Sequence, residues 1–504
     1  MPSVRQPWPQ IKPNHPTIAL HMQLQQALMR IAKRIENAGI HFDIAGAEKL
    51  RDQEYRRIWR ATLALDDLLR MPDKAFQAFM GKKGLAVTQA AAKWFWETQK
   101  APMLVFEKNT ERPQFNTELL TKYLVHSQTK DSIAGEAASY LLDLRSATKT
   151  ISFLENYLGF AYDGAGVIYG GFNPFGTVGE RWSASKALKR GNSKFSLNFQ
   201  NVPSKKISVK FRHRKVQLVQ PLRNFFLPPP GASWLCFDYD SQEARLLAIF
   251  TEDPYFAEMI LQKKKFHTQN AIDWFLPDIL PDLPNTYEAF AAILKDGAHP
   301  KHKLCKAAYE TAKAYMYAVA YQHVRGEVGQ DKYPAIWTQC KKQFPNWSEE
   351  QVGLVVQRYF KLHPNIRERY QLAIRQQVLE LGYITHPLFG GRLYVEPPTV
   401  DAVTGALKSS ARGINQGQNY TMQSGGFHIF GRAMQLLETQ LDWESVGICL
   451  QVHDEIGAWC PKGDEDKWGK LIREIMATPW TYNGVQYSLP ADYHPGPSWG
   501  QAKG

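Results

Sequence analysis

Two segments more than 200 residues apart each end an apolar, strand-like run in a carboxylate: Trp234–Arg245, WLCFDYDSQEAR, and Leu450–Ala458, LQVHDEIGA. In the first, Trp234 to Phe237 leads into Asp238. In the second, Gly447 to Val452 leads into His453-Asp454-Glu455, and Ile456 to Trp459 reads as the returning strand of a hairpin. Period-2 runs of β-formers broken by a polar tip carry that signature. A fold that lays these strands side by side lets Asp238 and Asp454 share a pair of hard divalent cations. Mg²⁺ takes one or two carboxylates plus substrate phosphates, and two such ions clamp both oxygens of an in-line phosphoryl displacement. Taken alone, either segment also reads as an acidic surface turn.

Charge narrows the partner. Lys+Arg of 61 against Asp+Glu of 48 gives +13 and a pI near 9.3, the balance expected for a partner made of phosphates. From Arg181 to Phe237 there is no Asp or Glu, while 12 Lys and Arg occur, clustered at Lys205, Lys206, Lys210, Arg212, Arg214 and Lys215. That stretch is either an exposed basic loop or a wall tracking duplex phosphates, in which case binding is strongly salt-dependent.

At 504 residues the chain exceeds one compact domain, so two or three subdomains are expected. The cysteines Cys236, Cys305, Cys340, Cys449 and Cys460 show no CxxC spacing, which suits a reducing setting without structural zinc. No apolar run approaches the roughly 18–20 residues that span a bilayer, so no membrane association is expected. Prolines at 2, 7, 9, 13 and 16 mark residues 1–20 as a disordered tail. Helical periodicity dominates 21–165, strands and basic loops 166–250, and helices 251–385; strands return at 386–400, followed by a helix at 418–440 and the hairpin. Within the helical block Lys306, Lys313, Tyr317 and Tyr321 fall at i, i+7, i+11 and i+15, one stripe of a 3.6-residue helix. Such a stripe is either an ordinary amphipathic face or a platform for a nucleotide.

The spacing Asp238, Glu243, Arg245 (DxxxxExR) and the sequence QVHDE resemble motifs A and C of the DNA polymerase I family, family A. GTVGERWSASK…NFQNVP (Gly176–Pro203) is similar to the family's TGRLSS…NLQNIP, with an insertion between its halves. AKAYMYAVAY (Ala312–Tyr321) resembles KxxxFGxxYG. QNYTMQSGGFHIFGRAM (Gln418–Met434) resembles NAPMQGTAADIIKRAM, and RIENAGIHFD (Arg34–Asp43) the element that opens the polymerase region. These landmarks run in family order from about residue 20 to the C-terminus, and phage members are among the implied kin.

The resemblance implies an α+β right-hand polymerase. Palm lead-in and thumb fall at 21–165, palm with motif A at 166–250, fingers at 251–385, and palm with motif C at 386–504. It implies primer extension from dNTPs with two Mg²⁺ ions, for which Mn²⁺ can substitute, bound by Asp238 and Asp454 and supported by His453 and Glu455. Asp240, two residues past Asp238, is the rival ligand, but only Asp238 has the +5 Glu and +7 Arg. Lys313 would meet the triphosphate and give a proton to pyrophosphate, and His267 would reach the same group. Tyr317 would pack on sugar and base, and Tyr321 would guard the templating position. Glu243 would fill the space of a ribose 2′-OH. Arg181, Gln200, Asn201, Arg245, Asn419 and Gln423 would contact the primer–template, and Lys205, Lys206, Lys210 and Arg212 its phosphates.

The sequence departs from the family at Tyr309, where arginine on the triphosphate is usual; Lys306, a turn earlier, offers a point charge in its place. It departs also at Ala318, Gln322 and Asn415. A chain weakened by these changes would only hold primer–template junctions, the rival reading. Family proofreading domains precede the matched region, so no 3′→5′ proofreading is expected. A cytoplasmic monomer, in a bacterium or a phage-infected host, completes the expectation.

Overall fold

The computed structural model describes residues 16–502 apart from 82–87, 108–111, 175, 178–180, 185–188, 191–192, 195, 277–278, 322–339, 341–342, 345, 389, 401–402, 406 and 409–410. It opens with helix α1 (Pro16–Ala38). Residues 16–20, expected within the tail, lie in this helix. Pro16 starts a helix instead of breaking one, because the first helical turn has no use for its missing N–H. Leu24, Leu28, Ile31 and Ile35 recur at helical spacing and are buried. They seat α1 on helix α8 (Ala411–Gln440), where Gly431 permits the approach: a Cβ there would lie 3.0 Å from Leu28 Cδ1.

Two long helices make an arm. Strand β1 (Ile40–Phe42) leads into α2 (Ile44–Leu69), whose first turn is capped by Asp43 accepting from Gly46 N at 2.9 Å. Helix α3 (Ile133–Asp163) runs back against it and feeds β2 (Val167–Gly170). Two reciprocal bonds clasp the pair: Tyr55 Oη donates to Glu155, and Tyr162 Oη to Glu48, each at 2.5 Å. Tyr55 and Glu48 are seven residues apart, as are Tyr162 and Glu155, so the rungs lie two turns apart on antiparallel helices. The far end of the arm has its own core around Phe95, Tyr123 and Leu141.

The basic stretch is more ordered than a loop. Strands β3 (Ile207–Phe211) and β4 (Arg214–Val219) form a hairpin whose Phe211 and Val216 enter the arm core. Although it falls within the span expected for the palm, it packs on α3. Arg212 Nη1 donates to Glu136 at 2.7 Å. Buried Asp143 accepts from Arg57 Nη2 at 2.6 Å and also from Arg214.

A small sheet places β1 between β2 and β5 (Phe226–Leu227), with Ser196–Leu197 beyond β2. The central sheet is antiparallel: β7 (Gly447–Val452), β8 (Glu455–Pro461), β6 (Ala232–Tyr239) and β9 (Ala491–Gly496), in that order. Both faces are covered. Leu235, Phe237, Ile456 and Ala458 join the main core, while Trp234, Cys236, Leu450 and Val452 pack with Trp499 in another. After β6 come α4 (Gln242–Thr251), α5 (Phe266–Phe275), α6 (His302–Tyr321) and α7 (Glu349–Leu362). The main core runs without a break from the central sheet into this helical block.

All five cysteines are buried and none is in a disulfide. Among the described residues no helix is long and apolar enough to cross a membrane.

Candidate active site

The two carboxylate-bearing strands meet, with one refinement. Strand β6 pairs with β8, the returning strand of the hairpin, and Phe237 lies opposite Ile456. Asp238 therefore stands across from Glu455, and Asp454 follows at the hairpin tip, at the same end of the sheet. On its other side Asp238 faces Asp492 of β9. Both turns here are held in left-handed backbone without glycine: His453 has φ 59° and Ser241, at the entry to α4, has φ 53°. Each costs on the order of 1–2 kcal/mol, strain that tends to gather at functional sites.

Beside this sheet end lies a cleft of about 500 Å³. It draws Asp454 and His453 from the hairpin, Glu243 from α4, His267 from α5, Tyr309 and Lys313 from α6, Gln423 from α8, and Arg181. Eight residues singled out from distant segments thus share one cavity. Asp238 is half-buried at the adjoining strand end and is not part of the wall. Sequence reasoning missed other wall residues, among them Trp182, Tyr239, Phe427 and Phe430. The last two could have been found, because Gln423, Phe427 and Phe430 fall at i, i+4 and i+7 of one helix face.

Several side chains are fixed by their neighbours. Arg181 Nη2 donates to Glu243 Oε1 at 2.7 Å, so the expected gate and the expected DNA contact form an ion pair across the cleft. Gln200 donates its amide to Trp182 O at 2.9 Å, steadying the residue beside Arg181. Gln242 donates to Gly426 O at 3.1 Å and ties α4 to α8. Tyr239 donates to Met476 O at 2.9 Å; burial, then the charge of Asp454, push its phenol upward.

Three of the expected residues have partners within the chain or stand apart from the cleft wall. Arg245, expected on DNA, donates to Asp240 through Nε to the backbone oxygen at 2.9 Å and through Nη2 to the carboxylate at 2.8 Å. Its guanidinium also lies 5.7 Å from the Phe266 ring centroid, so it braces α4 against α5. The same bonds, with Ser241 Oγ at 3.0 Å, hold Asp240. Glu455, expected to support the metals, is buried. It accepts from Trp499 Nε1 at 2.5 Å and pairs with Arg223 Nη1 at 3.4 Å. These contacts tie it to the core around Trp499. Lys306 is exposed on α6 and lies outside the cleft wall, leaving Lys313 as the lysine that reaches it.

The remaining expected contacts, Asn419 on α8, Asn201, Lys205, Lys206 and Lys210, lie outside the cleft; Asn201 and the three lysines are exposed. The side chains of Tyr317 and Tyr321, and Gln322 altogether, lie outside the described residues.

His267 has the clearest electrostatic signature. It is buried, its ring centroid sits 5.7 Å from that of Tyr309, edge to face, and its pKa falls from 6.5 to about 4. Burial is the main cause and Lys313 the second, with Asp240 opposing. The folded protein thus holds this imidazole neutral at pH 7. Because the unfolded chain binds the proton first, stability is expected to drop as pH falls from about 6.5 toward 4, by up to roughly 3 kcal/mol. Urea midpoints at pH 7 and pH 4.5 read the effect, and His267→Gln should shrink the difference. An NMR titration placing the imidazole at 6 or above would contradict this.

Asp238 and Asp454 supply hard oxygen donors at one end of the sheet, the donor set that Mg²⁺ uses together with phosphates. Among the described residues no three His, Cys, Asp or Glu side chains gather into a closed metal site.

Sheet, helical block and arm together define a right-hand polymerase fold with palm, fingers and thumb. The same architecture is found in the POL domain of Pol1 from M. smegmatis, solved with DNA primer-template and dNTP. It aligns with a TM-score of 0.67 at 18% identity over 96% of this chain and 72% of that one. Residues 300–501 match the sequence profile of DNA polymerase family A. DNA polymerase I of Bacillus caldotenax is 26% identical over 310 residues, 61% of this chain and 29% of that protein. The thermostable DNA polymerase I of Thermus thermophilus is 22% identical over 306 residues, 61% and 30%. The DNA polymerase of Bacillus phage SP01 is 20% identical over 396 residues, 77% and 37%. The chain thus spans about a third of the length of these curated relatives.

Proposed function

We propose that this chain is a template-directed DNA polymerase that extends a primer 3′-OH with dNTPs, acting as a monomer in the cytoplasm of a bacterial cell or phage-infected host. Asp238 and Asp454 would hold two Mg²⁺ ions, which Mn²⁺ can replace. The observation that carries the reading is the convergence of Asp454, Lys313, His267 and the Arg181–Glu243 pair on one cleft. Bacterial and phage relatives support the setting, as do five cysteines that form no disulfide.

Bound metal would neutralise charge at the attacking and leaving oxygens. The protein's own groups do the rest. Lys313 brings an ammonium to the triphosphate and holds a proton for the departing pyrophosphate. Neutral His267 adds a hydrogen bond without repelling Lys313. Tyr309 offers its hydroxyl where the family usually has arginine, so the triphosphate meets one point charge and two neutral donors in place of a guanidinium fork. Arg181 and Gln423 face the minor-groove acceptors common to every base pair, testing pairing without reading sequence. Lys205, Lys206 and Lys210 track phosphates, while Arg212, held by Glu136, contributes less. Tyr317 and Tyr321 complete the nucleotide platform by resemblance.

A primer-extension assay tests the proposal. Template-dependent addition that needs a divalent cation is the expected result; binding of primer–template with no addition would leave only the junction-holding reading.

Glu243 gives a narrower test. Its carboxylate, fixed by Arg181, would occupy the space of a ribose 2′-OH. Glu243→Ala should therefore raise ribonucleotide use by roughly ten- to a hundredfold, the value of about 1–3 kcal/mol of removed exclusion. Unchanged discrimination between dCTP and CTP in single-turnover assays would assign the gate elsewhere.

A further inference from the structure

We propose that the outer face of α2 is a binding strip for single-stranded nucleic acid, separate from the catalytic cleft. Among the described residues Trp59 is the one tryptophan whose side chain stands out in solvent, 63% exposed. It does not stand alone. Tyr55 and Leu63, at i−4 and i+4, are 47% and 49% exposed, so one row of α2 carries an apolar, largely aromatic stripe that no described element covers. Arg56 and Arg60 are exposed along the adjoining row. Between Glu54 and Asp66 the helix holds no acid.

The support beneath this face is rigid. Tyr55 is pinned to Glu155, and Arg57, on the inward side, is locked to Glu54 and Asp143. Nothing in the arm's packing needs Trp59 to be aromatic: the arm core is built from other residues, and the large ring is left presenting its face to water.

An aromatic surface flanked by guanidinium groups matches the chemistry that holds unpaired strands. Bases stack on the ring, and the arginines meet the phosphates. A duplex keeps its base faces inside and has nothing to lay on Trp59. The stripe from Tyr55 to Leu63 is about 12 Å long, the length of roughly three bases stacked at 3.4 Å. Three side chains on one helix fall far short of the roughly 800 Å² per partner that a stable protein dimer buries. The strip does not depend on the polymerase reading, and its test has a separate readout.

The full chain, with its cleft filled by excess hairpin primer–template, is titrated with a fluorescein-labelled oligothymidylate. Trp59→Ala should weaken oligonucleotide binding about tenfold or more, whereas Trp59→Phe should retain most of it. Arg56→Ala with Arg60→Ala should lower the slope of log affinity against log salt by about one, near 0.7 per lost phosphate contact. Extension of a short primer–template should be the same in all variants, showing that they fold. Oligonucleotide affinity equal in wild type and Trp59→Ala would overturn the proposal. So would self-association by sedimentation that Trp59→Ala abolishes, since that result assigns the strip to a second copy of the chain. If the chain failed to extend primers, the same titration would still decide the question.

Discussion

Asparagine at Asp238 or at Asp454 is expected to reduce primer extension by roughly a thousandfold or more while leaving primer–template affinity within about threefold. Each replacement keeps the side chain's size and removes one carboxylate charge at the end of the central sheet. A metal clamp supplies several kcal/mol of transition-state charge stabilisation, and 1.36 kcal/mol is tenfold in rate. On the proposed function, affinity for DNA would rest elsewhere, on the surplus of positive charge and on exposed lysines such as Lys205, Lys206 and Lys210. A salt titration separates the two effects: the variants should keep the wild-type slope of affinity against salt. Asp240 is the internal control. Arg245 and Ser241 already hold it, so Asp240→Asn should impair extension far less, through loosened packing of α4. Near wild-type extension by either Asp238→Asn or Asp454→Asn in Mg²⁺ would show that the metal assignment is wrong.

The strands and the acidic hairpin tip were legible because apolar runs bounded by charged turns are strong local signals. Which strand pairs with which was not. Strand β6 lies beside β8 and not β7, a choice made by long-range packing. The two faces of β8 are almost equally buried, so the alternation that sorts inward from outward residues is absent. The side to which Glu455 turns was therefore not legible in the sequence. The β3–β4 hairpin escaped notice for a different reason. Its two-residue turn is Arg212–His213, with Arg212 at φ 51°, and carries no Gly, Asn or Asp to announce it. Its lysines and arginines resembled a solvated loop, whereas the few apolar residues among them, Phe211 and Val216 foremost, help to hold it in the arm. Charge pairs such as Arg181–Glu243 and Arg245–Asp240 are also invisible in sequence, since like and unlike charges are read there as composition.

Glu455 supplies the second large effect, and it is one of stability. Its carboxylate is buried, accepts from Trp499 Nε1 at 2.5 Å, and lies 3.4 Å from Arg223, which is itself buried and stacks 4.0 Å over the Trp499 ring. Removing one member of a buried ion pair leaves the other charge without compensation, at a cost of about 3–5 kcal/mol. Glu455→Ala is therefore expected to lower unfolding free energy by that amount, read as a large drop in the urea midpoint. Glu455→Gln keeps an acceptor for the indole N–H and should lose less. The catalytic consequence runs the other way from Asp454. If Glu455 acts from beneath the hairpin, holding the β7–β8 turn at its place in the cleft, Glu455→Gln should retain extension to within about tenfold under conditions where it is folded, against a thousandfold loss for Asp454→Asn. The pair of measurements distinguishes support from ligation: a ligand would lose activity without losing stability, whereas this side chain should lose stability first. Equal urea midpoints for wild type and Glu455→Ala, together with abolished extension, would return Glu455 to the metals.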